Sequence, residues 1–220
     1  MTPLERLSSI LDILRRDCPW DRAQTFESIR YLTIEEVYEL SDAILALTET
    51  IPPAAENAAN LKKELGDILM HILFYSKIAH DAALFDFNDV CEAVSDKLFE
   101  RHPHISLPDA NGVMQTPRCK SHPGWEKIKM KEGRKSVLEG VPSQLPSLVK
   151  AVRLQEKAEG IGYPLDAEST TSTDKTLLAG SRLFKLIQEM RQQGINPDEA
   201  LSRTNNQFER NVRQWETSQR

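Results

Sequence analysis

The chain has 220 residues, 28 of them basic and 33 acidic, for a net charge of -5, with 40% hydrophobic and 28% charged side chains. That composition supports one buried core or two small ones, excludes a disordered chain and disfavours an overall basic nucleic-acid binder. Three scattered cysteines, Cys18, Cys91 and Cys119, exclude a disulfide framework or a thiolate zinc cluster and predict a reducing, cytoplasmic setting.

Leu4, Leu7, Ile10, Leu11 and Leu14 recur at helical spacing and predict a first amphipathic helix, with charges that do not suit a signal peptide. Cys18-Pro19-Trp20-Asp21 breaks it. A second helix is expected from about Thr33 to Leu47, where Thr33 and Glu36 have capping-box spacing, or from nearer Ser28. Ile51-Pro52-Pro53 ends it. A third helix is expected over about Ala55–His80 and a fourth over Asn88–Arg101. His102-Pro103 stops the fourth, and a Pro-, Asn- and Gly-rich loop follows to about His122. Further helices are expected around Trp125–Lys129, over Ser143–Glu159, Leu177–Gln193 and Pro197–Trp215, with a polar Ser/Thr-rich stretch at Asp166–Asp174. No run alternates with period two, and the longest apolar run, Ile68–Phe74, is interrupted by His71. The chain reads as all-α, built from helical hairpins, with no membrane span.

The informative chemistry lies in Glu35, Glu36 and Glu39 on the second helix and Glu64 and Asp67 on the third. Residues three or four apart share a helix face, so Glu36 pairs with Glu39 and Glu64 with Asp67. Both pairings, Glu36 with Asp67 and Glu39 with Glu64, are centred between Ile51 and Pro52. An antiparallel hairpin folding there brings four carboxylates to one height. Converging carboxylates repel, and a hard divalent cation relieves the repulsion. All-oxygen ligands suit Mg²⁺, with Mn²⁺ as an alternative, and point to phosphate chemistry. An isolated Glu-x-x-Glu reads as a solvated face, and Lys62 and Lys63 could account for part of the pattern as surface ion pairs. A di-iron bundle needs Glu-x-x-His on two helices and fits less well, since His71 reads as a core or boundary histidine.

Basic residues gather after the hairpin. Lys97, Arg101, Arg118, Lys120, Lys127, Lys129, Lys131, Arg134 and Lys135 outnumber the acids of the same segment. Acid in one segment and base in the next suits a cation-polyphosphate ligand. Lys97 and Arg101, one turn apart, can grip a phosphate chain, and Trp125 can stack on a base. The bland alternatives are a solvated helix for the lysines, packing for Trp125 and a helix stop for His102-Pro103-His104. No Gly-rich phosphate loop is present.

These residues resemble the MazG family of nucleoside triphosphate pyrophosphohydrolases. Cys18-Pro19-Trp20-Asp21 with Gln24-Thr25, Glu35-Glu36-Val37-Tyr38-Glu39 with Asp42-Ala43-Ile44, and Glu64-Leu65-Gly66-Asp67 match its motifs in order. So do Phe85-Asp86-Phe87-Asn88-Asp89-Val90, Lys97-Leu98 with Arg101-His102-Pro103-His104, Trp125-Glu126-Lys127-Ile128-Lys129, and Val141-Pro142 with Leu145-Pro146-Ser147-Leu148. The resemblance implies an all-α fold that completes a four-helix bundle as a homodimer. It implies Mg²⁺-dependent cleavage of (deoxy)nucleoside triphosphates between the α and β phosphates, giving monophosphate and pyrophosphate. Glu36, Glu39, Glu64 and Asp67 would hold the metal, and Glu35 would orient or deprotonate the attacking water. Lys97, Arg101, Trp125 and Lys129 would contact the nucleotide. Alternatives on the same site are a pyrophosphatase restricted to non-standard or deoxy nucleotides, and a non-catalytic nucleotide-binding regulator.

Larger members of that family carry two such units, and the C-terminal part resembles a decayed second copy. Ala179-Gly180-Ser181-Arg182-Leu183 stands where a second motif of the Leu-Gly-Asp type would be, with Leu178 and Ser181 in place of its acids, and Gln207 and Asn211 replace basic residues. The expected organisation is a catalytic domain over 1–135, a linking helix over 136–165 and a degenerate second unit over 166–220.

Overall fold

A computed structural model describes residues 1–48, 51–121, 128, 133, 135–165 and 173–219. Among these residues the regular structure is eight α-helices and no strand. They are α1 (Pro3–Asp17), α2 (Pro19–Ala23), α3 (Phe26–Thr48), α4 (Ala55–Asp81), α5 (Phe87–Arg101), α6 (Ser147–Glu159), α7 (Lys175–Gln192) and α8 (Pro197–Ser218). The chain divides into two compact units, Met1–Arg118 and Cys119–Arg220. No described helix is long and apolar enough to cross a membrane.

The first unit is organised by the α3/α4 hairpin, against which α1 and α5 pack. Its core joins Leu11 of α1, Ile29 of α3, and Leu73, Phe74 and Ile78 of α4. Phe26 stacks on Tyr75 with ring centroids 6.0 Å apart. Arg15 ties α1 to the far end of the hairpin. Its guanidinium bonds Asp81 Oδ2 at 2.7 and 2.9 Å, donates to the Asp21 carbonyl at 3.1 Å, and lies over the Phe74 ring. Lys77 adds an ion pair to Asp12 at 2.7 Å.

Local chemistry explains where the helices begin. Thr2 and Glu5 form a capping box on α1, and Asp86 and Asp89 form another on α5. Cys18-Pro19-Trp20-Asp21 does more than break α1, because Pro19 starts the short helix α2. The start of α3 corrects the expectation that Thr33 caps it. The helix begins at Phe26, and Thr25 and Ser28 exchange side-chain bonds with each other's backbone N–H at 3.2 and 2.8 Å. Gln24 accepts from the Ser28 hydroxyl and donates to the Trp20 carbonyl, fixing the turn into α3. Thr33 lies inside the helix, so its hydroxyl is available for other partners.

In the second unit, α6 packs on α7 and α8. Gln155 is fully buried and donates to the Phe184 carbonyl at 2.7 Å. Arg191 bonds Gln155 Oε1 and pairs with Glu159. This polar clasp holds α6 against α7. Helix α6 starts at Ser147, after Pro146, and not at Ser143. The helix expected around Trp125, and most of the polar stretch Asp166–Asp174, lie outside the described residues.

Candidate active site

The α3/α4 hairpin is closed near its corner by Asn57, whose side-chain amide donates to the Ala46 carbonyl at 2.8 Å. These two positions share the centre between residues 51 and 52 that the carboxylate pairs have in sequence. Moving away from the corner, Glu39 and Glu64 come next, then Glu36 and Asp67. Thr33 and His71 follow, their side chains 2.6 Å apart.

Glu36, Glu64 and Asp67 each bring a carboxylate oxygen to within 4.8 Å of the other two. Three of the four expected ligands are thus gathered. Glu39 is exposed and outside this group, yet its charge acts on both Glu36 and Lys63. Glu35 is exposed one turn from Glu39, also outside the group.

Glu64 is the centre of the cluster. It is only 3% exposed, and Oε1 accepts from Lys63 Nζ at 3.2 Å. Its Oε2 is buried with no hydrogen-bond partner among the described residues. A buried carboxylate oxygen without a donor is strongly unfavourable unless something else satisfies it. Burial and the nearby charges of Asp67, Glu39 and Glu64 hold the Glu36 carboxyl above its ordinary value. An orphaned buried oxygen, clustered carboxylates and an all-oxygen donor set fit a hard divalent cation.

Lys63, read from sequence as a surface ion pair, belongs to this group. Its ammonium lies 3.2 Å from Glu64 and 3.9 Å from Asp67, and the contact with Glu64 raises its affinity for its proton. The side chain is 67% exposed on a flexible stem, so the charge can move without repacking the core.

Sequence reasoning also missed the layer one turn below. Thr33 Oγ1 lies 2.6 Å from His71 Nδ1, 2.8 Å from the Tyr75 hydroxyl and 3.0 Å from the Ile29 carbonyl. His71 is buried, as expected of a core histidine, and burial lowers its affinity for a proton despite Asp67 one turn away. The available signal was a threonine, a histidine and a tyrosine at matching depth on two facing helices.

The expected phosphate-binding residues are distributed differently. Lys97, exposed, and Arg101, half-buried, lie one turn apart towards the C-terminal end of α5, outside the carboxylate group. Arg118 pairs with Glu100 at 3.0 Å, bonds the Phe99 carbonyl and covers the Phe99 ring, which folds the loop after α5 back onto that helix. His102 caps α5, its backbone N–H and Nδ1 both meeting the Leu98 carbonyl. Trp125 and Lys129 lie outside the described residues.

Residues 24–106 match the MazG nucleotide pyrophosphohydrolase domain. This range spans the hairpin, the carboxylates and α5. The chain is 32% identical to a nucleoside triphosphate pyrophosphohydrolase of Escherichia coli, covering 98% of this chain and 88% of that one. The chain belongs to the MazG family of nucleoside triphosphate pyrophosphohydrolases. It is also 32% identical to a nucleoside triphosphate pyrophosphohydrolase/pyrophosphatase MazG of Thermotoga maritima, covering 93% of this chain and 82% of that one. A nucleoside triphosphate pyrophosphohydrolase of Mycolicibacterium smegmatis is 31% identical over 80% of this chain and 53% of its own length.

Proposed function

We propose that this MazG protein hydrolyses nucleoside triphosphates, deoxy forms included, between the α and β phosphates, releasing monophosphate and pyrophosphate. The observation that carries the reading is Glu64, a buried carboxylate whose Oε2 has no partner among the described residues and whose neighbours are Glu36 and Asp67. Glu36, Glu64 and Asp67, joined by Glu39 through a side-chain rotation, are the proposed holders of Mg²⁺, with Mn²⁺ as a substitute. The ion supplies Lewis-acid polarisation of the phosphoryl oxygens and neutralises charge there.

This chain's residues have separate tasks in the proposal. Glu35, beside the ligands and open to solvent, orients the attacking water and takes its proton. Water is added across the α–β anhydride, and pyrophosphate leaves. Lys63 exchanges its carboxylate partners for phosphate oxygens when the nucleotide enters. Lys97 and Arg101 grip the phosphate chain, and Trp125 and Lys129 complete the nucleotide side.

The active form is proposed as a homodimer. Tyr31, Ile34, Val37 and Tyr38 of α3 and Leu65, Leu69 and Ile72 of α4 are exposed in the single chain, and helical spacing groups them into faces that a second copy would cover. Catalysis is assigned to the first 135 residues, and the helix after it serves as a link. The part over 166–220 is a degenerate second unit serving packing or dimerisation.

Product analysis tests the reading. Chromatography of a panel of ribo- and deoxynucleoside triphosphates incubated with Mg²⁺ should show monophosphate and pyrophosphate in equal amounts. Diphosphate with orthophosphate would contradict it. Binding without turnover would favour a nucleotide-sensing regulator.

A further inference from the structure

The layer beneath the carboxylates joins Thr33, His71 and Tyr75 by short polar contacts. A hydroxyl has one hydrogen to give and two lone pairs to receive with. Thr33 Oγ1 has three neighbours at bonding distance, and the Ile29 carbonyl among them can only accept. When all three contacts are made as hydrogen bonds, the threonine hydrogen goes to Ile29, Tyr75 donates its O–H to Thr33, and His71 donates from Nδ1. In that arrangement a neutral His71 carries its proton on Nδ1 and leaves Nε2 as the acceptor.

This arrangement is tied to the site by helical geometry. Thr33 is one turn from Glu36 on α3, and His71 is one turn from Asp67 on α4. Tyr75, the third member, is also held by its stack on Phe26. The 2.6 Å bond between Thr33 and His71 thus clamps the two helices one turn from the carboxylates of Glu36 and Asp67. Apolar packing alone tolerates sliding of one helix past another, whereas a hydrogen bond at fixed length does not.

We propose that Thr33, His71 and Tyr75 form a positioning device that sets the separation of Glu36 from Asp67, and so the affinity of the cluster for a divalent cation. The three are positioning residues, because they act through the carboxylates. The inference rests on the reading of the cluster as a cation site. It goes beyond that reading by assigning the affinity to a buried network that itself holds no ion. Removing outer partners of a metal site weakens binding by roughly one to two powers of ten, and the lower end applies here because the network bonds no ligand directly.

The test uses Mn²⁺ as the probe, with free ion followed by electron paramagnetic resonance on the full chain without nucleotide. Thr33→Val keeps the branched shape and removes the hydroxyl, and it should weaken Mn²⁺ binding about tenfold. His71→Asn places an N–H where Nδ1 stood and should bind like the wild type. His71→Gln places its N–H at the Nε2 position and should behave like Thr33→Val. Long-range ¹H–¹⁵N spectra should show the His71 proton on Nδ1 in the wild type and its redistribution in Thr33→Val. Tyr75→Phe deletes one O–H and should weaken binding in the same direction, and it serves if Thr33→Val fails to fold. Lower melting temperatures with unchanged Mn²⁺ affinity in these variants would overturn the proposal and leave only a core contact. A wild type whose Mn²⁺ binding equals that of Glu64→Gln would instead overturn the cation reading, and this inference with it.

Discussion

Asn57 donates its side-chain amide to the carbonyl of Ala46 across the corner of the α3/α4 hairpin, at 2.8 Å. The bond fixes which residue of α3 faces which residue of α4, and that register brings Glu36 to Glu64 and Asp67. Asn57→Ala removes one partly buried hydrogen bond and is expected to lower stability by about 1 kcal/mol. Chemical denaturation in chelator measures it. Loss of register control should also appear as a higher Mg²⁺ concentration for half-maximal turnover.

In the proposed cation site, Glu64 is unfavourable to the metal-free fold and required by the metal-bound one. Glu64→Gln removes a buried charge next to two other carboxylates, so in chelator its melting temperature should equal or exceed that of the wild type. Added Mg²⁺ should raise the melting temperature of the wild type and leave the variant where it was. Differential scanning calorimetry with and without the ion checks both halves.

The Glu36 carboxyl, raised by burial and by Asp67, Glu39 and Glu64, gives a pH dependence with a definite sign. The native state holds this proton more tightly than the unfolded chain, whose value is near the ordinary 4.5. The stability it contributes is therefore present below that ordinary value and lost as pH rises through the higher native value. In chelator, the wild type should gain stability relative to Glu36→Gln as pH falls from neutrality. Saturating Mg²⁺, which favours the charged carboxylate, should remove that gain. Melting temperatures across pH in both conditions provide the measurement.

Lys63 supplies positive charge to the carboxylates of Glu64 and Asp67. Lys63→Met should tighten binding of the bare ion, since a competing cation is gone, and raise KM for the nucleotide, since a phosphate partner is gone. Each effect is expected to be a few-fold, in keeping with the modest energies of exposed ion pairs. Opposite signs in Mn²⁺ binding and in KM distinguish this exchange from a simple structural ion pair, which would move neither.

Arg15 offers a contrast away from the site. Its side chain is 14% exposed and joins α1, α2 through the Asp21 carbonyl, and Asp81 of α4. Arg15→Met should destabilise the first unit by about 2 kcal/mol, through the lost charge-assisted bonds. The Mg²⁺ requirement of the folded protein should be unchanged.

Much of this organisation is legible in the sequence because it rests on period and spacing. The apolar repeats of α4 and the Pro52-Pro53 corner mark the hairpin, and symmetric placement of the acids about that corner gives its register. Thr33 is misread as a cap because capping and mid-helix threonines share the same short-range pattern. Thr25 and Ser28, which do cap α3, lack the Glu at the third position that signals a box. Lys63 looks like a surface charge because no local pattern reveals that its neighbour Glu64 is buried. The Thr33–His71–Tyr75 layer depends on contacts between residues about forty positions apart, and these exist only once the helices pack.

In the proposed mechanism, buried Glu64 organises a divalent-cation site for triphosphate cleavage. Its most direct test is pyrophosphate release under titration with Mg²⁺, compared between wild type and Glu64→Gln at matched folded concentration. Wild type should release pyrophosphate saturably with Mg²⁺, and the variant should lose at least about a hundredfold at every Mg²⁺ concentration. Equal release by the two proteins would contradict it.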